Sequence, residues 1–518
     1  MILQYRKNCI FIVVDKILIY ELMLKCAVFV VLFFGIFILL SKNETIRNFC
    51  VRNQKTAFIL LCILTFISII VRFVMYAKTR SLWLDEAMLA ESLVTRDFWN
   101  LLATPLENNQ TAPAFYLLAV KLICLIFGYG EGALRSFSFL AFIGLLVAQA
   151  ILLKKHFCLN NIRTAFSVFC VATIPAYMYY SNELKPYMSD VFFVVLVLLL
   201  YYLYSCGKIK LPIITIIYSI ILLFSNPASF FIGAMYIVEF VSAFCKKRKR
   251  KMLLVVIFGM AILAVFAVYY YLWLMPVANN DYMINYWKNA AEIGRTNIMY
   301  IFTPSRFSSN SMICWLFVPF SLLGLFDSCR KKDFVSLVVL VAIILAAFAS
   351  VIGKYPLSAR LWLFLPALVF IYAPFGMIFI AKKSLLIAFL LAFTINQSAF
   401  VDFCEQRLYY PGQETNPLIE YVQKNIKEGE FFYVDYHSNF VMRYKNSYGR
   451  NVLEDNIIWG NELDEETLGN EVQRIKGNAY LLLNRHVKLE NRLDIFQRYG
   501  KVSKIMEVYE TPLYYFER

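Results

Sequence analysis

The chain has 518 residues, 60% hydrophobic and 17% aromatic, with a formal net charge of +16. Soluble proteins average about 45–50% apolar residues, so this composition excludes an ordinary soluble domain and describes a polytopic membrane protein, with a core of helices packed in lipid. The basic excess would raise nucleic acid as a partner in a soluble chain; here Lys and Arg are expected to collect in cytoplasmic loops beside anionic lipid, and no nucleic-acid partner is implied.

Arg6 and Lys7 precede an apolar patch that Asp15, Lys16, Glu21 and Lys25 interrupt, which is not the pattern of a signal peptide. Leu18–Leu40 reads as an additional anchor within an N-terminal region 1–55. Thr56–Ala77 opens a transmembrane region 56–400, and a large external loop, 78–132, follows it. Within that loop Leu84–Leu102 has helical spacing with charges on one face and reads as an amphipathic helix lying in the interface. Thr111–Gly128 is apolar, with Lys121 in its middle. Counting it as a span would move the basic loops outside and break the positive-inside rule, so it is read as a juxtamembrane helix that does not cross.

The next spans are expected at Ala133–Leu153, Ile162–Tyr180, Leu184–Ser205, Leu211–Phe224, Ala228–Cys245, Met252–Met275, Met312–Phe326, Phe334–Ile352, Arg360–Ala381 and Ser384–Phe400. The total is about twelve by the rule of about 20 residues per span. The basic clusters Lys154-Lys155, Lys246–Lys251 and Arg330-Lys331-Lys332 then share the cytoplasmic face. From 401 to 518 the spans stop and charges return. Phe431–Asp435, Ala479–Leu483 and Val502–Tyr509 read as strands, with Thr511–Phe516 as a hairpin partner. Pro417–Lys427, Asp464–Lys476 and Leu489–Tyr499 read as helices. This alternation describes a small C-terminal α/β domain, external by the same topology. The 12 cysteines are scattered singly, without Cys-x-x-Cys or a Cys/His cluster, which indicates neither a zinc site nor a disulfide framework.

The ionisable residues expected at the external membrane face are Asp85, Glu86, Arg135, Glu183, Lys185, Lys354 and Arg360. Charged groups beside spans are functional candidates. At the bilayer centre a carboxylate costs about 2.5–3.5 kcal/mol on insertion scales; at the boundary most of that penalty vanishes. Asp85 and Glu86 could therefore take a proton from a nucleophile held at the surface, and the cations could grip a phosphate. Each has a plainer alternative. Asp85 could cap a helix, with Glu86 favoured by its dipole. Arg135 could snorkel, Glu183 and Lys185 could form a simple ion pair, and Tyr187 could belong to an aromatic belt. Tyr355 and Arg360 open a later span on the same face, and Arg360 is a forked donor suited to phosphate oxygens.

The order of these motifs resembles the GT-C superfamily of membrane glycosyltransferases, in particular the bacterial protein-mannosyltransferase and aminoarabinose-transferase branch. Trp83-Leu84-Asp85-Glu86 is similar to its acidic motif and Ala133-Leu134-Arg135-Ser136 to its Leu-Arg entry to the next span. Ser181-Asn182-Glu183-Leu184-Lys185-Pro186-Tyr187 is similar to its Glu-x-Arg-x-Tyr junction, with Lys in place of Arg, and Tyr355–Arg360 to its later Arg-containing span. Many relatives carry His-Pro-Pro ahead of the juxtamembrane helix, where this chain reads Gln110-Thr111-Ala112-Pro113.

The resemblance implies inverting transfer of a sugar from a polyprenyl-phosphate donor to a glycan, lipid or protein acceptor at the non-cytoplasmic face of the cell membrane. Asp85 would be the general base and Glu86 its assistant. Arg135, Lys185 and Arg360 would hold the lipid phosphate, Glu183 would position a sugar hydroxyl or Lys185, and Tyr187 and Tyr355 would contact substrate. No cofactor is required, because the cations neutralise the phosphate, although two or three acids could still bind a divalent metal. The rivals are a lipid-linked substrate transporter or flippase, whose charges should lie near the midplane, another transferase or ligase of lipid-linked polymers, and a non-enzymatic scaffold.

Overall fold

A computed structural model describes residues 35–381 and 414–518, apart from 37, 41, 109, 279, 282, 286–287, 289–312, 448–455, 461–464, 484–488 and 509–510. The expected anchor Leu18–Leu40 lies mostly, and the expected span Ser384–Phe400 wholly, outside these residues. The chain forms two compact units: Met1–Arg72, Ser138–Ser181 and Pro186–Phe403 make one, and Phe73–Phe137, Asn182–Lys185 and Cys404–Arg518 the other. The loop 78–132 groups with the C-terminal segment rather than with the spans, and so does the short junction Asn182–Lys185.

The first unit is helical. Among the described residues, six helices are long and apolar enough to cross a membrane: Gln54–Ala77, Glu131–Lys155, Tyr187–Ser205, Ala228–Cys245, Lys249–Leu274 and Phe334–Val351. Asn161–Ala172, Leu211–Phe224 and Phe364–Ile378 are apolar but shorter. Proline sets several boundaries. The expected span Ile162–Tyr180 is two helices, Asn161–Ala172 and Pro175–Tyr180. Pro175 lacks an N–H and pushes the residue before it out of the helical region, so Ile174 is extended, with ψ 120°. Pro186 likewise stands just before the helix that begins at Tyr187 rather than at Leu184.

A buried carboxylate of this unit is paired, as a low-dielectric interior demands. Glu239 accepts from the Tyr201 hydroxyl at 2.9 Å and meets Lys251 Nζ at 2.6 Å. Outward, Gln54–Ala77 presents Ile63, Phe66 and Ile70, an exposed apolar surface suited to lipid. The helices Ile313–Arg330 and Phe364–Ala381 pack backbone to backbone. A Cβ on Gly376 would stand 1.8 Å from the Phe320 carbonyl oxygen, and one on Gly324 would stand 2.2 Å from that of Tyr372. Only glycine permits this approach, which is how membrane helices gain dispersion energy without a hydrophobic drive.

The second unit contains a five-stranded sheet of β1 (Phe431–Val434), β2 (Ile457–Trp459), β3 (Ala479–Leu482), β4 (Lys501–Val508) and β5 (Thr511–Glu517), in the order β2-β1-β3-β5-β4. β1 pairs in parallel with β2 and β3, and β5 runs antiparallel to β3 and β4. The parallel strands are covered on both faces, which is why Phe431-Phe432-Tyr433-Val434 and Ala479-Tyr480-Leu481-Leu482 are continuously apolar. Phe432 and Val434 join one core with the helices Asn416–Asn425 and Tyr436–Ser447, and Tyr433 joins the other with Leu468, Val472 and Phe496.

The expected interfacial helix Leu84–Leu102 is two helices, Leu84–Thr95 and Phe98–Ala103, and the first is not laid out as a surface helix. Ala87, Leu89, Ala90 and Leu93 are fully buried in the core that also holds Phe440, Val441 and Met442. The break follows from Asp97, which caps the second helix by accepting from Asn100 N at 2.7 Å. The helix Ala114–Phe127 has 14 residues, about 21 Å at 1.5 Å per residue, short of the roughly 30 Å hydrocarbon core. Its Lys121 is buried and donates to Leu93 O at 2.7 Å and Arg96 O at 2.6 Å, closing the C-terminus of Leu84–Thr95 with a cation.

Gly376→Val is expected to destabilise the first unit by about 3 kcal/mol through overpacking. Gly233→Ala, with open space around its Cβ, should change stability by no more than about 0.5 kcal/mol. Thermal unfolding in detergent compares them, and equal midpoints would contradict the close backbone contact.

Candidate active site

The second unit brings Asp85, Glu86, Arg135, Glu183 and Lys185 together. Tyr187, Tyr355 and Arg360 belong to the first unit. There Tyr187 packs edge-on against Tyr180 at 5.1 Å, and Tyr355, buried against Phe230 and Trp362, donates to Leu361 O at 2.5 Å.

The site is built on the turn between Gln54–Ala77 and Leu84–Thr95. Trp83, not Asp85, is the residue that precedes the helix, so Asp85 and Glu86 occupy its first turn, where the dipole favours anions. Adjacent positions on a helix point about 100° apart, and the two carboxylates have opposite surroundings. Glu86 is fully buried. Its Oε1 accepts from Arg135 Nε at 2.8 Å and from Leu184 N at 2.8 Å, and its Oε2 accepts from Arg135 Nη2 at 2.7 Å and Trp83 N at 3.4 Å. Arg80 Nη1 stands 3.2 Å from Oε2. Burial alone would raise the Glu86 pKa; the Arg135 and Arg80 guanidinium groups, with the hydrogen bonds from Arg135 and Leu184, outweigh it and hold the carboxyl at about 2.

Arg135 is spent on this arrangement. Besides its forked bond to Glu86, Nη1 donates to Arg80 O at 2.7 Å and Nη2 to Ser81 O at 3.2 Å, and the residue is 2% exposed. It could reach a phosphate only by abandoning a buried carboxylate. Arg135, expected to hold lipid phosphate, thus has its guanidinium in contact with Glu86 and two backbone carbonyls. Glu86, expected to assist proton transfer, has both oxygens taken by donors.

Asp85 differs. Its side chain is 29% exposed, and Lys185 Nζ lies 3.9 Å from its Oδ2. Lys185 is itself held by donating to Gln110 Oε1 at 2.7 Å. Glu183, fully buried, lies 3.6 Å from Arg80 Nη2.

Three contributors were not expected from the sequence. Arg80 bridges Glu86 and Glu183 and retains 16% side-chain exposure. Ser81 donates through N at 3.1 Å and Oγ at 2.8 Å to Glu414, and its Oγ accepts from Thr415 N at 3.1 Å and Asn416 N at 2.9 Å. Burial raises the Glu414 pKa above its ordinary value, against the lowering effect of the Ser81 donors and of Arg80 and Arg135. Arg80 stands directly before the acidic motif and could have been included on that ground. Ser81 and Glu414 are 333 residues apart, and nothing local announces their pairing. Among the described residues no group of three or more His, Cys, Asp or Glu is placed to hold a metal ion.

Arg135→Ala should cost about 3–5 kcal/mol, because it strands a buried carboxylate. The Glu86 pKa lies below its ordinary 4.5 in the folded chain, so its contribution to stability is present above pH 4.5 and is lost as pH falls toward 2. Unfolding midpoints over that window should fall for the wild type and stay flatter for Glu86→Gln; parallel curves would remove Glu86 from this role.

No family model and no curated protein matches the chain. Two solved structures of ArnT from Cupriavidus metallidurans resemble it with 11% sequence identity and a TM-score of 0.52. The apo form covers 88% of this chain and 97% of its own, and the form bound to undecaprenyl phosphate covers 88% and 98%. The Archaeoglobus fulgidus oligosaccharyltransferase, in complex with Zn and sulfate, matches at 11% identity and a TM-score of 0.48, over 81% of this chain and 68% of its own. At this identity the likeness to ArnT is one of fold: the chain has an ArnT-like fold, that of a polytopic helical protein.

Proposed function

We propose that this chain is a membrane glycosyltransferase that moves a sugar from a polyprenyl-phosphate donor to an acceptor at the non-cytoplasmic face, in a bundle of about twelve spans. The observation that carries the reading is the division between adjacent carboxylates: Glu86 is consumed by Arg135, while Asp85 stays partly exposed beside Lys185. The likeness in fold to a protein crystallised with undecaprenyl phosphate supports the donor class. The alternation of basic loops supports the side of the membrane.

In this reading Asp85 accepts the acceptor hydroxyl proton as its oxygen attacks the anomeric carbon. The bond from that carbon to the phosphate oxygen breaks, the electron pair leaves with the lipid phosphate, and the configuration inverts. A positioned base of this kind contributes about 10²–10⁴ in rate. Lys185 supplies charge that stabilises the leaving phosphate; Arg360, Tyr187 and Tyr355 keep the donor-binding roles that the motif resemblance implies. Arg80, less buried than Arg135, is a further candidate for a phosphate oxygen. Glu183 positions Arg80. The reading needs no metal, because the leaving group is neutralised by cations of the chain.

Membranes holding the protein, incubated with a panel of labelled polyprenyl-phosphate sugars, should transfer one of them with inversion. Asp85→Asn should lower turnover by about 10²-fold or more while donor binding is kept. Undiminished transfer by Asp85→Asn would reject Asp85 as the base, and transfer of no sugar in the panel would count against the reading as a whole.

A further inference from the structure

The C-terminal sheet holds a second concentration of buried polar groups. In the strand order β2-β1-β3 the chain leaves β1 toward β2 and then returns across β1 to β3. The connections therefore diverge beyond the carboxyl ends of β1 and β3, the place where open parallel sheets bind ligands. Asp435 follows β1 directly, its N–H donating to Leu482 O at 3.1 Å, and Gly460 follows β2, its N–H donating to Val434 O at 2.9 Å. Asp435 and Ser438 are 0% exposed, Asn439 2% and Arg492 7%.

These side chains are only partly satisfied by one another. Asp435 Oδ1 accepts from Ser438 N at 2.9 Å, and Asn439 Nδ2 donates to Gly460 O at 2.5 Å. Arg492 Nη1 stands 3.6 Å from Asp435 Oδ2, too far for a hydrogen bond. Among the described residues, Ser438 Oγ, Asn439 Oδ1 and Arg492 Nη1 have no hydrogen-bond partner. One such atom costs about 1–3 kcal/mol when buried, so three at the end of one pair of strands point to a ligand that satisfies them. Gly460 adds to the same edge: a Cβ there would stand 2.5 Å from the Tyr433 hydroxyl oxygen, so the backbone lies close to the strand ends.

The mixture of groups selects the ligand. Arg492 and Ser438 alone would suit an anion, but the Asp435 carboxylate and Asn439 Oδ1 would repel one. A hydroxyl both donates and accepts, so neighbouring ring hydroxyls can give protons to Asn439 Oδ1 while taking them from Arg492 and Ser438. We propose that the carboxyl edge of β1 and β3 is a binding subsite for a neutral, hydroxyl-bearing sugar ring, formed by Asp435, Ser438, Asn439 and Arg492. Its assignment to the acceptor, which makes the acceptor a glycan, rests on the glycosyltransferase reading above.

The test uses the full chain in a detergent without a sugar headgroup. Saturation-transfer NMR is recorded with the methyl glycosides of mannose, glucose, galactose and N-acetylglucosamine, with inorganic phosphate as competitor. At least one glycoside should bind. Ser438→Ala, which removes a hydroxyl without a hydrogen-bond partner among the described residues, should weaken it about three- to tenfold without lowering the unfolding midpoint. Arg492→Lys should weaken it as well.

Absence of binding up to about 10 mM glycoside would overturn the proposal, as a dissociation constant near 1 mM would then have been visible. Binding indifferent to both variants, displacement by phosphate, or a lower midpoint for Ser438→Ala would also overturn it. Donor transfer assayed on the same sample separates the two claims: transfer without glycoside binding removes the subsite alone, and glycoside binding without transfer removes the transferase reading and leaves a sugar site.

Discussion

The buried ion pair between Glu86 and Arg135 is the constraint on which the second unit turns. Taking two charges out of water costs several kcal/mol for each, and the attraction between them repays that only when the geometry is good and the remaining donors and acceptors are filled. Here they are filled. The carboxylate takes donors from Arg135, Leu184 and Trp83, and the guanidinium gives its protons to Glu86 and to two carbonyls of the turn that carries the motif. One interaction thus fixes the turn Arg80–Trp83, the start of Glu131–Lys155 and the junction Asn182–Lys185. Ser81 extends the lattice to Glu414 and the start of the helix Asn416–Asn425.

What this lattice leaves over is as informative as what it consumes. Four acids and three cations meet in it, and most are occupied with one another. Asp85, next to Glu86 in sequence and roughly a quarter-turn away on the helix, retains access to solvent with an ammonium at 3.9 Å. A reactive carboxylate benefits from such rigidity, because a base must be held within a fraction of an ångström of the proton it takes. The stability invested in Glu86 and Arg135 therefore supports Asp85 without either residue having to touch a substrate.

Much of this was legible in the sequence where the physics is local. Apolar runs located the long helices, and short apolar or β-branched runs between polar turns located β1, β3, β4 and β5 with three of the flanking helices. Tyr436–Ser447 was missed because its buried residues, Phe440, Val441, Met442 and Tyr444, are consecutive or nearly so among polar neighbours, and β2 because it is three residues long. The residues that meet at the site were also legible, since Arg135, Glu183 and Lys185 belong to recognisable motifs. Their roles were not. Whether an arginine is spent on a carboxylate or held ready for a phosphate depends on distances of about 3 Å across residues 49 positions apart, and no periodicity encodes that. The same holds for Glu414, whose partner Ser81 lies at the far end of the unit's sequence.

The central claim is that neighbouring carboxylates have been given separate work, one locked and one accessible. Carbodiimide labelling of the folded chain, read residue by residue by tandem mass spectrometry, tests it most directly. The account predicts rapid modification of Asp85 and none of Glu86 until the protein unfolds. Equal labelling of the two in the folded state, or labelling of Glu86 first, would contradict it.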